Sequence, residues 1–267
     1  MTLWWSIYPL LGIFSGFVAG LFGVGGGLVL VPILFMLFGA QGFPVEHSMH
    51  LALGTAMSTI AVTSLSSMRA HHAHDAVRWD VVKQFAPGLA VGTLGGSMVA
   101  TWLPTRPLAI LFTAIVYWAS LQIVLDLKPR AHRQLPGLVG MLIAGGAIGF
   151  VSSIVAAGGG FLSIPFMLLC NVAIHQAVGT SAALGFPIAV AGTIGYIGRG
   201  WSAPDLPPFS FGFVYLPAFL GVVAVSTSMA PIGARLAHRL PVKQLKRAFG
   251  GFLALLATKM LHGLWSG

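Results

Sequence analysis

Carboxylates are almost missing from this chain. Glu46, Asp75, Asp80, Asp126 and Asp205 are the only five in 267 residues, and all fall in loops or at the ends of apolar segments. Intramembrane aspartyl chemistry needs paired carboxylates at depth, so that reaction class has no residues to work with. Cysteine is scarcer still, since Cys170 alone can close no internal disulfide and supplies no zinc pattern. No Gly-x-Ser-Gly or Gly-x-Ser-x-Gly nucleophile pattern occurs. A dinucleotide fingerprint started at Gly23 would need its last glycine where the chain has Leu28. We therefore expect no enzymatic activity, no cofactor and no resident metal. No basic n-region or small-residue cleavage site precedes the first apolar run, so no removable signal peptide is expected either.

What is abundant is apolar length. Hydrophobic residues make up 57% of the chain and charged ones 7%, with mean hydropathy +0.91, which identifies an integral membrane protein. A helix needs about 20 residues to cross a hydrocarbon core of about 30 Å. Segments of that length run over 6–23, 48–67, 82–102, 106–125, 136–155, 176–197, 209–230 and 245–263. Two shorter apolar pieces, 28–38 and 161–171, cover only about half the core. The net charge of +9 is spread through short loops without interleaved aromatics, so a lipid bilayer rather than nucleic acid explains it.

Both short pieces follow a glycine triplet. "GVGGGLVLVP" (Gly23 to Pro32) and "AAGGGFLSIP" (Ala156 to Pro165) each place a proline five residues after the last glycine. Gly16 and Gly149, Gly25 to Gly27 and Gly158 to Gly160, and Pro32 and Pro165 all align at one spacing. "HLALGTA" (His50 to Ala56) pairs with "HQAVGTS" (His175 to Ser181) further along. The chain thus reads as an all-α polytopic protein of two homologous repeats, 1–125 and 136–267, joined by a basic cytoplasmic linker over 126–135.

If each short piece counts as a crossing, every repeat has five segments and the second is inverted. If the short pieces dip in and return, each repeat has four and the two are parallel. Basic residues concentrate in cytoplasmic loops, and they favour inversion. With five plus five segments, Arg69, Arg78 and Lys83, then Lys128, Arg130 and Arg133, then Arg235, Arg239, Lys243, Lys246 and Arg247 share the inner side. The parallel arrangement places the Arg235–Arg247 loop outside.

Inversion gives the glycines a role. Two half-helices related by an axis in the membrane plane bring both N-termini toward the midplane. First-turn N–H groups there lack intrahelical partners, and an anion satisfies them. Glycine tolerates the broken backbone and lets a ligand approach closely. Close helix packing, of the kind Gly16-xxx-Gly20 supports, is the competing reading.

The repeated glycine break with its proline, followed by the Gly-Thr helix, resembles the TauE/SafE family of sulfite exporters, also grouped as toluenesulfonate uptake permeases. The resemblance covers nearly the whole chain and implies transport, most readily export, of sulfite, organosulfonate or a related small sulfur-containing anion across a bacterial inner membrane. Candidate substrate-binding residues are Gly25, Gly26, Gly27, Gly158, Gly159, Gly160, Ser163, Thr55, Thr180 and Ser181, with His50 and His175 as candidate proton carriers. Ala56 stands where the second repeat has Ser181, so the hydroxyls at the two matching positions are unequal. The run "RAHHAHDAVRW" offers imidazoles, but it has no counterpart in the second repeat and reads as a solvated loop facing lipid headgroups. A non-transporting membrane scaffold or insertion factor, and a transporter of a different small anion, are the alternatives.

Overall fold

The computed structural model describes residues 2–22, 26–125, 134–237 and 243–266. Most of the linker expected over 126–135 lies outside them, as does Gly25. Among the described residues the chain forms ten helices: α1 (Thr2–Phe22), α2 (Gly27–Ala40), α3 (Val45–His72), α4 (Trp79–Trp102), α5 (Thr105–Val124), α6 (Leu138–Val155), α7 (Gly160–Leu169), α8 (Ile174–Gly200), α9 (Leu216–Ala237) and α10 (Lys243–Ser266).

Six of them, α1, α3, α5, α6, α8 and α9, are long and apolar enough to cross a membrane. The other two long ones, α4 and α10, have 24 residues each but carry charge near their ends, as at Asp80 and Lys83 or Arg247 and Lys259. The expected short pieces are the helices α2, of 14 residues, and α7, of 10. At about 1.5 Å per residue α7 is only about 15 Å long.

One expected boundary moves. The segment expected from 209 begins as a helix only at Leu216, because 210–215 form a small antiparallel hairpin, with strands Ser210–Phe211 and Val214–Tyr215. Gly212, at φ 56°, supplies its left-handed turn residue.

Packing is organised by two long helix pairs and a central crossing. Helix α1 lies along α9, α6 lies along α4, and α3 meets α8 in the middle of the molecule, while α5 packs on α10. Both long pairs are zipped by small residues. A Cβ at Gly12, Gly16 or Gly20 of α1 would run into the carbonyl oxygen of Val222, Ser226 or Ala230 of α9. A Cβ at Gly145 or Gly149 of α6 would do the same at Phe85 or Leu89 of α4. Without a solvent-driven hydrophobic effect between helices in lipid, this close backbone approach is what gives such pairs their van der Waals contact. The buried core runs through the centre, with Leu28, Leu34, Leu53, Met57, Leu184 and Tyr196 all essentially inaccessible.

Candidate functional site where two helices restart

Helices α2 and α7 both begin at a glycine in the left-handed region. Gly26 holds φ 73° and Gly159 φ 87°, a conformation that costs an ordinary L residue about 1–2 kcal/mol. The first hydrogen bonds repeat as well. Gly26 O accepts the N–H of Val29 at 3.2 Å and of Leu30 at 3.0 Å, and Gly159 O accepts that of Leu162 at 3.2 Å and of Ser163 at 2.8 Å. Pro32 and Pro165 each stand five residues into their helix, where a missing N–H leaves a carbonyl one partner short.

The two restarts touch. Gly27 lies so close to the carbonyl oxygen of Ala156, just ahead of the second break, that a Cβ at 27 would overlap it. Ala156 itself sits at φ 45° as the C-cap of α6. The central helices close the region from the sides. Ile60 Cδ1 of α3 is 2.9 Å from the Cβ position of Gly27, and a Cβ at Gly185 of α8 would lie 2.8 Å from Gly158 O and 3.5 Å from Ser64 Cβ.

What faces each glycine differs. At Gly26 the nearest atom to a would-be Cβ is the Ser15 carbonyl oxygen, at 2.7 Å. At Gly159 the neighbours are Ile188 Cδ1 at 2.8 Å, Ser163 Oγ at 3.8 Å and Leu184 Cβ at 3.9 Å. Ser163 is fully buried, and its hydroxyl has no hydrogen-bond partner among the described residues.

Thr55 and Thr180 are fully buried, and their hydroxyls are engaged in matching ways. Thr55 Oγ1 accepts the N–H of Tyr215, at the entrance to α9, and Thr180 Oγ1 accepts that of Arg78, at the entrance to α4, both at 2.9 Å. The preceding glycines make room for the same turns, Gly54 against Phe213 O and Gly179 against Ala76 O. Each Gly-Thr pair therefore grips the chain just before a helix on the other side of the central crossing. Ser181 is fully buried beside Thr180. The Arg78 guanidinium pairs with the Asp80 carboxylate, whose hydrogen bonds hold it above the ordinary arginine range. The pair is open to solvent and adds little to stability.

The histidines are not equivalent. His50 is buried, with Nε2 3.0 Å from Leu103 O and its ring stacked on Phe213 at 5.1 Å. His175 is exposed at the start of α8. In the "RAHHAHDAVRW" run, His71 is buried with Nε2 3.3 Å from Gly20 O, and His72 Nδ1 accepts from Trp79 Nε1 at 3.3 Å. Among the described residues no group of three His, Cys, Asp or Glu is placed to hold a metal.

Of the sequence candidates, then, the fold gathers Gly26, Gly27, Gly158, Gly159, Gly160 and Ser163 around one junction, and sets Thr55, Thr180, His50 and His175 to other contacts. Ser152 is the hydroxyl that sequence reading passed over. It is fully buried in the last turn of α6, without a partner among the described residues. Its signal was position, four residues ahead of the Ala156 turn. Serine in a membrane helix normally bonds its own backbone, which hid it.

The family described as Sulfite exporter TauE/SafE matches residues 8–260. A "Probable membrane transporter protein" of Haemophilus influenzae is 35% identical over 256 residues, covering 94% of this chain and 96% of its own length. "Probable membrane transporter protein YdhB" of Bacillus subtilis is 28% identical over 246 residues, covering 90% and 91%. "Probable membrane transporter protein MJ0441" of Methanocaldococcus jannaschii is 22% identical over 264 residues, covering 96% of each. No solved structure matches. The protein is an integral membrane protein, and it belongs to the TauE/SafE sulfite exporter family.

Proposed function

We propose that the protein exports a small sulfur oxyanion, sulfite or an organosulfonate, across a bacterial inner membrane, holding it where α2 and α7 restart. The carrying observation is that both short helices begin at a left-handed glycine and that the two starts abut through Gly27 and Ala156. A helix N-terminus with uncovered N–H groups favours an anion, and in a membrane interior those groups need a partner.

The same reading takes the chain as two inverted repeats of five helices, 1–125 and 136–267, about the linker 126–135. The packing supports it by exchange of partners: α1 with α9 and α6 with α4. The residue-level matches, Gly12 on Val222 beside Gly145 on Phe85, and Gly16 on Ser226 beside Gly149 on Leu89, keep the same offsets. In this arrangement the Arg235–Arg247 loop and the linker share the cytoplasmic side. Single cysteines at Gln134 and Gln244, in a Cys170→Ser background, resist an impermeant thiol reagent applied outside intact cells. Labelling at 244 alone would support parallel repeats instead.

No carboxylate lies at depth to carry a coupling proton or sodium ion, and an inside-negative potential drives an anion outward by about 2.3 kcal/mol per charge per 100 mV. Export is therefore electrogenic and uncoupled, or assisted at most by His50 or His175. The test is flux of sulfite, methanesulfonate and chloride in proteoliposomes under a potassium-diffusion potential. Sulfur anions moving toward the positive side without a sodium or pH gradient support the reading. Flux that ignores the potential and collapses with either gradient refutes the uncoupled mechanism, and absence of sulfur-anion flux refutes the function.

A further inference from the structure

The two restarts share a backbone path, yet the atoms that face their left-handed glycines differ. At the first, two carbonyl oxygens press on the glycines: Ser15 O on Gly26 and Ala156 O on Gly27. Carbonyls accept hydrogen bonds and present negative charge density, so they disfavour an anion beside these two glycines. At the second, the atoms closest to Gly159 are two apolar side chains and one hydroxyl.

Among the described residues that hydroxyl is one of three buried helical ones without a partner, with those of Ser152 and Ser67. Buried serines and threonines here characteristically donate back to a carbonyl three or four residues earlier: Ser58 to Thr55, Thr59 to Ala56, Thr63 to Thr59, Thr93 to Leu89 and Thr113 to Ala109. Ser163 has the carbonyl of Gly159 available at that distance in the helix and leaves it to the backbone N–H of its own residue. A buried hydroxyl that forgoes this bond carries the desolvation cost of an unpaired group until something else meets it. Ser152, also buried and unpartnered among the described residues, stands at the same break on the α6 side. The backbone adds donors. The amides of Gly160 and Phe161 have no backbone acceptor among the described residues, as is also true of Gly27 and Leu28 at the start of α2.

We infer that the transported anion is held at the second break alone, by the Ser163 hydroxyl and the Gly160 and Phe161 amides at the start of α7, while the first break serves as its packed wall. The inference rests on the anion-transport reading above and deepens it. A tetrahedral or pyramidal oxyanion with several acceptor oxygens suits a hydroxyl and two amides that converge on one end of a helix. It also explains the first repeat's Leu30 at the position matching Ser163, since a wall needs bulk and no donor.

The test is calorimetric titration of the purified full-length chain with sodium sulfite and with sodium methanesulfonate, with sodium chloride as the reference salt. The wild type binds one or both sulfur anions saturably. Ser163→Ala raises Kd about tenfold or more, as expected for loss of a hydrogen bond to a charged group. Ser163→Thr, which keeps the hydroxyl, restores Kd to within about threefold, and Ser58→Ala, whose hydroxyl serves its own helix, leaves it unchanged. If the alanine variant is not recovered folded, Ser163→Cys keeps the volume, weakens the donor and reads the same way. Saturable wild-type binding with an unchanged Kd in Ser163→Ala or Ser163→Cys overturns the assignment to the second break and leaves the transport reading standing. Absence of saturable binding in the wild type overturns both.

Discussion

The break ahead of α2 and the break ahead of α7 were written by the same sequence pattern and fold to the same backbone, but they are lined by different atoms. Gly26 and Gly159 share a left-handed φ and the same pair of first-turn hydrogen bonds. A Cβ at Gly26 would meet the Ser15 carbonyl, and one at Gly159 would meet Ile188, Leu184 and the Ser163 hydroxyl. Duplication preserves what the backbone must do, because a glycine with positive φ has few substitutes. Side chains that meet the break carry no such constraint, so one copy is free to specialise.

The sharpest way to break the comparison is to abolish the shared element where it faces side chains rather than a carbonyl. Gly159→Val forces a β-branched residue into φ 87° and drives a side chain toward Ile188, and we expect flux to fall below detection while the protein still inserts in the membrane. Proteoliposome flux alongside membrane fractionation checks it. Wild-type flux in Gly159→Val would reduce the second triplet to helix packing. Next in size is Gly27→Ala, whose Cβ has no space beside the Ala156 carbonyl. The wall must move, and we expect a loss at the upper end of the about 1–3 kcal/mol that overpacking costs, read as a lowered midpoint in detergent thermal unfolding.

Much of this was legible in the sequence, for identifiable reasons. Apolar runs and glycine triplets announce helices and breaks because both signals are local: length sets the span and glycine sets the permitted φ. Hence 28–38 and 161–171 correspond closely to Gly27–Ala40 and Gly160–Leu169. The hairpin at 210–215 was hidden, since Ser-Phe and Val-Tyr strands two residues long are as apolar as the helix that follows. The work of Thr55 and Thr180 was hidden too. Their partners, the amides of Tyr215 and Arg78, lie 160 and 102 residues away, and no spacing rule reaches that far. Ser163 was marked by its place three residues past the second triplet, whereas Ser152 stands apart from Ser58 or Thr93 only through an unmade backbone bond, which no sequence records.

The Gly-Thr grips are where the two repeats stay alike, and they predict like effects. Thr55→Val removes the acceptor for Tyr215 N–H and Thr180→Val that for Arg78 N–H, each at nearly constant side-chain volume. We expect each to cost about 1–2 kcal/mol, since both amides belong to partly exposed residues and water compensates in part. The two sites share no partner, so the double variant should lose about the sum in thermal unfolding. Strong coupling between them would mean that the grips act as one device across the central crossing of α3 and α8.

The smallest expected effect is also the most discriminating. Ala19 of α1 occupies the position, in the repeat alignment, that Ser152 occupies on α6, and it is buried. If donors alone made a binding site, Ala19→Ser would begin to convert the first break into a second one. The geometry argues otherwise. A serine at 19 has the Ser15 carbonyl four residues earlier as an acceptor within its own helix, the bond that Thr63, Thr93 and Thr113 take, although Ser152 at the matching position leaves its own unmade. That carbonyl and the one at Ala156 would still cover Gly26 and Gly27. Ala19→Ser should therefore shift the unfolding midpoint little, within about 0.5–1 kcal/mol, and leave the stoichiometry of sulfite or methanesulfonate binding at one per chain. A second binding event in the titration would show that hydroxyl placement, and not carbonyl cover, is what separates the two breaks.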